Sequence, residues 1–235
     1  MNIKAVLFDL DGTLLPMDQD TFVKAYFGYL SKKLYPYGFE PQKLIESIWN
    51  GTMLMVKNNG TKTNEEVFWD YFKKVYGDDV MKYHPIFEEY YHNEFQQVKN
   101  VCGFNELSKE VIEVLKQKGK RLILATNPIF PSIATYSRTS WAGLNPEDFE
   151  YITTYENSSY CKPNLDYYKE ILKLHNLDPK ECLMIGNDVI EDMVTKELGM
   201  QVFLVTDNLI NKNNVDISIY PHGNLSDLLD FIRNI

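Results

Sequence analysis

The chain has 235 residues, 44% of them hydrophobic, with a net charge of −9 and a sequence pI near 5.0. That length suffices for one sizeable core, alone or with a smaller satellite, and the acidic balance offers no basic face for a phosphate backbone, which excludes nucleic acid as an expected partner. Met1 to Leu10 lacks the basic start and long apolar run of an export signal, no stretch approaches membrane-spanning length, and Cys102, Cys161 and Cys182 form no close pair, so a reduced, cytoplasmic protein without membrane attachment is expected.

Val6 to Leu14, VLFDLDGTL, is an apolar run that leads into Asp9 and Asp11 and then the turn-former Gly12. Residues two apart on an extended strand point to the same side, so both acids face one pocket. Like charges held that close call for a cation. After Pro16, the residues Phe22, Tyr26, Tyr29, Leu30 and Leu34 recur at helical spacing, and Pro41 to Met55 continues the helical pattern. Trp49 to Lys62, WNGTMLMVKNNGTK, interrupts it with Gly, Asn and Lys, and reads either as a loop facing the active site or as an exposed loop. Asn64 to Gly77 is the clearest helix, with an Asn cap, acids in its first turn and Val67, Phe68, Tyr71, Phe72 and Val75 on one stripe. A further helix is predicted from Val80 to Gln97, which makes residues 16 to 100 an all-helical, aromatic-rich block.

The pattern then changes to helices alternating with compact apolar runs. Glu106 to Lys118 predicts a helix stopped by Gly119, followed by strands at Arg121 to Asn127 and Tyr151 to Thr154. A helix at Leu165 to His175, a buried strand at Cys182 to Asp188, a helix at Glu191 to Leu198 and a strand at Gln201 to Thr206 come next. An edge strand near Asp216 to Tyr220, a turn at Pro221 to Gly223 and a helix with Leu225, Leu228, Leu229 and Ile232 inward complete the chain. This alternation predicts a doubly wound, mostly parallel sheet with helices on both faces. The first strand has no partner until after residue 100, so residues 16–100 are expected as a helical cap inserted into a core made of 1–15 and 101–235. Linkers near Leu15 to Asp20 and Lys99 to Gly103 would let that cap move as a lid.

In such a sheet ligands bind beyond the carboxyl ends of the strands, and the polar residues gather there. The ends are Asp9 to Gly12, Thr126-Asn127, and Gly186-Asn187-Asp188 with Asp192 four residues on, while Lys162-Pro163 precedes a helix and brings an ammonium to the same mouth. Phosphoryl transfer suits these groups, because the transferring charge must be met by a metal and by fixed donors. Magnesium takes hard oxygens, which Asp9, the backbone carbonyl of Asp11 and Asp188 supply. The Thr126 hydroxyl and the amides around Asn127 suit phosphate oxygens, Lys162 offsets charge, and Asp11 is placed to protonate a leaving alcohol and then deprotonate water.

Together, VLFDLDGTL, the Thr126-Asn127 strand end, the Lys162-Pro163 loop and GNDVIED resemble the four ordered motifs of the haloacid dehalogenase-like superfamily of hydrolases, and the helical insertion is similar to the cap that many members carry between the first two. The resemblance implies a Rossmann-like core, magnesium dependence, Asp9 as nucleophile, Asp11 as general acid and base, and a small phosphorylated metabolite as substrate. Members that remove halogens lack the second aspartate of the first motif, so Asp11 favours phosphate chemistry. Many relatives have an acid directly after the glycine of the fourth motif, where this chain has Asn187. Asp188, nearest the strand end, is the preferred third metal ligand, with Asn187 and Glu191 as alternatives, and Asp192 has a supporting role holding Lys162 or a metal-bound water.

A phosphomutase or phosphotransferase on the same scaffold is the nearest rival. A non-enzymatic phospho-receiver also uses aspartates, a Thr and a Lys, but puts its phosphorylated Asp on a middle strand and has no large helical lid. His84, His92, His175 and His222 are too scattered for a zinc site, and Cys161 has no His placed to activate it.

Overall fold

The computed structural model describes Ile3 to Ile235; Met1 and Asn2, with which the expected core segment 1–15 begins, lie outside the described residues. Five strands read from the sequence are present but shorter than their apolar runs: β1 (Ala5–Phe8), β2 (Arg121–Leu124), β3 (Tyr151–Ile152), β4 (Cys182–Gly186) and β5 (Gln201–Val205). The edge strand is β6 (His222–Gly223), paired in parallel with Leu204 and Val205. The expected strand at Asp216 to Tyr220 is instead a short 3₁₀ turn, because the Asp216 carboxylate accepts the amide of Ser218 and caps it.

All pairs in the sheet are parallel, in the order β3-β2-β1-β4-β5-β6. The chain moves outward from β1 through β2 to β3 and then crosses back to lay β4 on the other side of β1. That reversal opens a crevice beyond the carboxyl ends of β1 and β4, where a doubly wound sheet binds its ligand. Side chains alternate across the sheet: Val6 and Phe8 join one apolar cluster with Leu122, Leu183 and Leu228, while Ala5 and Leu7 join another with Met184 and Ile171. Helices α5 (Glu106–Gln117) and α8 (Leu225–Arg233) cover the first face, with Leu225, Leu228, Leu229 and Ile232 buried as read. Helix α7 (Leu165–Leu174) covers the second, together with a 3₁₀ segment, Met193–Leu198, in place of the helix expected at Glu191 to Leu198.

Between β1 and α5 the chain is helical: α1 (Gln19–Leu34), α2 (Pro41–Val56), α3 (Asn64–Tyr76) and α4 (His84–His92). The single helix expected over Val80 to Gln97 is broken into three pieces, 3₁₀ turns flanking α4 on both sides. Pro85 starts α4 in the first turn, where its missing donor costs nothing, and Asn93, with φ −113° and ψ −83°, ends it. The cap of α3 is Thr63, which forms a reciprocal capping box with Glu66, and not Asn64, which is fully buried. Trp49 to Val56 belongs to α2, so only residues 57–62 of the expected loop are irregular.

The two connections into the helical block run side by side. Met17 and Cys102 form an antiparallel bridge, and the Gly103 amide donates to the Pro16 carbonyl at 2.7 Å. A second tie lies at the start of α3, where the amides of Asn64 and Glu65 donate to the carbonyls of Ser158 and Tyr155, both at 2.9 Å. No helix among the described residues is long and apolar enough to cross a membrane.

Candidate active site

A cavity of about 1120 Å³ lies between the carboxyl ends of the strands and the helical block, and Asp9, Asp11, Thr126, Asn127, Asp188 and Asp192 all line it. The sheet register places them. The Asp9 amide donates to Ile185 of β4 at 2.8 Å and the Ala125 amide donates to Phe8 of β1 at 2.7 Å, which holds three strand ends level. Beyond β1 the backbone turns at Gly12, whose φ of +86° suits glycine and whose missing Cβ leaves room for the Asn187 side chain. Asn187 is spent on that junction: its Oδ1 accepts the Thr13 hydroxyl at 3.1 Å and its Nδ2 donates to Asn208 O at 2.6 Å.

Asp9 is 7% exposed, and its Oδ1 accepts Lys162 Nζ at 2.8 Å while its Oδ2 lies 3.2 Å from the Thr13 hydroxyl, whose one proton it shares with Asn187. Lys162, 1% exposed, also donates to Asp192 Oδ1 at 2.7 Å. Burial works against the Lys162 ammonium, but Asp192 and Asp9 outweigh it and hold the lysine well above its ordinary range. Burial pushes Asp192 up, with Lys162 pulling the other way. Both Asp192 oxygens accept hydrogen bonds, the second from the Asp188 amide at 3.0 Å, which is the arrangement of a carboxylate holding an ammonium. Gly186 makes this possible, because any Cβ there would collide with Asp192.

Asp11 meets a residue that the sequence reading passed over. Arg138, 1% exposed, forms an ion pair through Nη1 with Asp11 Oδ2 and stacks its guanidinium 4.4 Å from the ring centre of Phe130. Asp11 Oδ1 is buried without a hydrogen-bond partner. Burial raises the Asp11 carboxyl above its ordinary value, Arg138 opposes the rise and Asp9 adds to it. Arg138 sits on α6 (Ser132–Trp141), a helix whose buried face includes Thr135, Arg138 and Thr139, so hydrophobic periodicity was blank there. The spacing of Ala134, Arg138 and Trp141 on one face was the available signal.

The remaining strand ends are held in turn. The Thr126 carbonyl accepts the hydroxyls of Thr153 at 2.7 Å and Tyr167 at 2.8 Å. Asn127 Nδ2 donates to Glu191 Oε2 at 3.2 Å, leaving Asn127 Oδ1 buried and unpartnered. Asp188 Oδ1 accepts the amides of Ile190 and Glu191 and so caps its own turn. Burial raises Glu191, an effect that Lys162 opposes and the charges of Asp188 and Asp9 strengthen.

Five carboxylates thus crowd a mouth whose buried cations are Lys162 and Arg138. Excess hard oxygen of this kind suits a divalent cation that prefers oxygen ligands. No three His, Cys, Asp or Glu side chains among the described residues converge as a metal-binding group; a hard cation also accepts carboxylates together with backbone carbonyls and waters.

A family model for haloacid dehalogenase-like hydrolases matches residues 3–194, and a second, for related hydrolases, matches 159–231. The chain belongs to this family. This haloacid dehalogenase-like hydrolase is 27% identical over 235 residues to glyceraldehyde 3-phosphate phosphatase of Methanocaldococcus jannaschii, covering 99% of this chain and 98% of the relative. It is 23% identical over 232 residues to pyrophosphatase PpaX of Oceanobacillus iheyensis, covering 99% and 96% of the two chains. A solved structure of a phosphatase of the family from Thermococcus onnurineus has a TM-score of 0.61 at 19% identity, with 98% of each chain covered, and shares the fold.

Proposed function

We propose that this hydrolase is a magnesium-dependent phosphatase that releases phosphate from a small phosphorylated metabolite through attack by Asp9. The observation that carries this reading is the pair of acids past β1 in two unlike environments. Asp9 accepts the Lys162 ammonium at 2.8 Å, while Asp11 pairs with Arg138, keeps one oxygen buried without a partner, and is pushed by burial toward its protonated form. Two carboxyl groups set in environments this different divide the nucleophile from the acid. The full-length relatives named for glyceraldehyde 3-phosphate and pyrophosphate support a small phosphorylated compound as substrate.

In this mechanism the Asp9 carboxylate attacks phosphorus and the ester oxygen departs with a proton from Asp11. Asp11 then takes a proton from the water that attacks the aspartyl-phosphate, which releases phosphate and restores Asp9. Lys162 offsets charge on Asp9 and the incoming phosphate, Asp192 holds Lys162, and Thr126 with the amides near Asn127 meets the phosphoryl oxygens. Asp9, the carbonyl of Asp11 and Asp188 would hold magnesium, with Glu191 next in reach of the same charge. A bound magnesium ion supplies positive charge to the transferring phosphoryl group and fixes its orientation. The helical block, residues 16–100, acts as the cap and residues 1–15 with 101–235 as the catalytic core.

The test is phosphate release from a panel of phosphorylated metabolites by the full chain, with magnesium and with a chelator. Magnesium-dependent release is expected. Chelator-resistant activity on a haloacid, or a stable phosphoprotein without turnover, would overturn this reading.

A further inference from the structure

Helix α2 has two apolar faces. Leu44 and Ile48 are buried in the main apolar cluster, and Met55 is buried with Tyr155 and Cys161 of the core, as expected of a helix with one packed stripe. The other face should be polar, yet Trp49, Thr52, Met53 and Val56, spaced i, i+3, i+4 and i+7, line the cavity. Trp49 and Met53 are each 47% exposed. On the core side, Ile129, Ile133 and Tyr136 line the same cavity, and Tyr136 is 45% exposed. Two apolar walls, one from each side of the molecule, therefore border one chamber that also contains Asp9 and Asp11.

From these two walls of one cavity we infer that the organic part of the substrate is a bulky aromatic body that packs against Trp49 and Tyr136, rather than a three-carbon chain or a second phosphate. The inference rests on the phosphatase reading and names the substrate class of that same site. Exposed apolar surface on a concave wall is costly unless something covers it. The chamber, at about 1120 Å³, reaches the size of pockets that take drug-sized ligands, roughly 300 to 1,000 Å³, and far exceeds what a phosphate and three carbons fill. Charge points the same way. Glu65 and Glu156 lie on the wall, where burial first and the Glu156 charge second raise Glu65, and the buried cations Lys162 and Arg138 are already paired with acids. An anionic second group on this wall would meet those acids, and the unburied cations of the lining, Lys99 and Lys212, are exposed to solvent that screens them. A flat apolar ring meets no such obstacle.

The experiment compares 2-(1-naphthyl)ethyl phosphate with ethyl phosphate on the full chain with magnesium, since both release a primary alcohol and differ only in the body attached. We expect kcat/KM for the naphthyl ester to exceed that for the ethyl ester roughly a hundred-fold, the effect of burying one large aromatic surface. Trp49→Ala, and separately Met53→Ala on the same helix face, should shrink that ratio, by about ten-fold for the tryptophan. A wild-type ratio near one, with ethyl phosphate still hydrolysed, overturns the aromatic substrate and leaves the phosphatase reading standing. A ratio that neither substitution changes overturns the assignment of the wall. Hydrolysis of neither ester, nor of any other phosphate in the panel, overturns both readings. Concentration-dependent self-association that Trp49→Ala abolishes would overturn the inference in favour of a second copy of the chain covering this face.

Discussion

Charged residues sit at both ends of the parallel sheet, and the two ends use them in opposite ways. Where the strands begin, the ion pairs are exposed and matched: Lys4 with Glu181 at 2.7 Å between the starts of β1 and β4, and Arg121 with Glu150 at 2.5 Å between the starts of β2 and β3. Where the strands finish, they are buried and unmatched, with Lys162 shared by Asp9 and Asp192 and one oxygen of Asp11 left without a partner. Exposed pairs are worth little and cost little. Buried, mismatched charge is tolerated only where surrounding structure holds it, and it provides groups whose protonation differs from that of free side chains. The same backbone thus carries a fastening at one end and a reactive assembly at the other.

Changes at the mouth should have the largest effects. Asp9→Asn keeps the shape and removes the attacking carboxylate, so turnover of any phosphomonoester should fall by about 10⁴-fold or more while the far-ultraviolet circular dichroism is unchanged. Full activity in that variant would move the nucleophile elsewhere. Lys162→Ala should lower turnover and also leave two buried carboxylates without their cation, costing about 3 to 5 kcal/mol in urea unfolding. A loss of turnover with no loss of stability would separate the two roles of the lysine.

Much of the mouth was legible because its residues lie in strand ends and loops, where polar side chains stand out against apolar runs. Asp9 and Asp11 followed from one strand, and the approach of Lys162 followed from its place before α7. Arg138 and Asn64 were not legible: Asn64 reads as the cap of its helix and is instead an inward-pointing residue of the first turn, and Arg138 points inward from a helix whose polar buried face gave no apolar period to read. Register and tertiary placement decide such cases. The break in the helix around α4 was signalled by Pro85, but the 3₁₀ turns on either side depend on packing that no local pattern records.

Asn64 joins the two regions of the mouth. Its Nδ2 lies within reach of Pro128 O at 3.1 Å, Tyr160 O at 3.2 Å and Cys161 Sγ at 3.3 Å, and its Oδ1 accepts Asn58 Nδ2 at 2.9 Å. It therefore ties the start of α3 to the strand end carrying Asn127 and to the loop carrying Lys162. Asn64→Ala should cost about 1 to 3 kcal/mol, the penalty for buried carbonyls left unpaired, and should lower kcat about ten-fold by loosening the Lys162 loop. A stability loss with kcat unchanged would reduce the tie to a structural one.

The smallest effect belongs to the far end of the sheet. Glu150 accepts Arg121 through both oxygens, at 2.5 and 2.7 Å, and lies 2.9 Å from His175 Nδ1, pinning the short strand β3 to β2 and to the end of α7. The Arg121 hydrogen bond holds its carboxyl down at about 2, against an ordinary value of 4.5, with burial opposing and His175 assisting. A carboxyl whose pKa is depressed by folding stabilises the protein above its unfolded value and loses that contribution as pH falls through the folded one. Both partners are 38% exposed, so the contribution is screened to about 1 kcal/mol or less. Glu150→Gln should therefore lower stability by that amount at pH 7, the difference from the wild type should fade between pH 4.5 and about 2, and added salt should shrink it. Phosphate release at pH 7 should not change, because this pair lies at the beginnings of strands whose other ends form the mouth. A clear fall in turnover would mean that the two ends of the sheet are coupled, and that β3 transmits its pairing to Thr153 and through it to the carbonyl of Thr126.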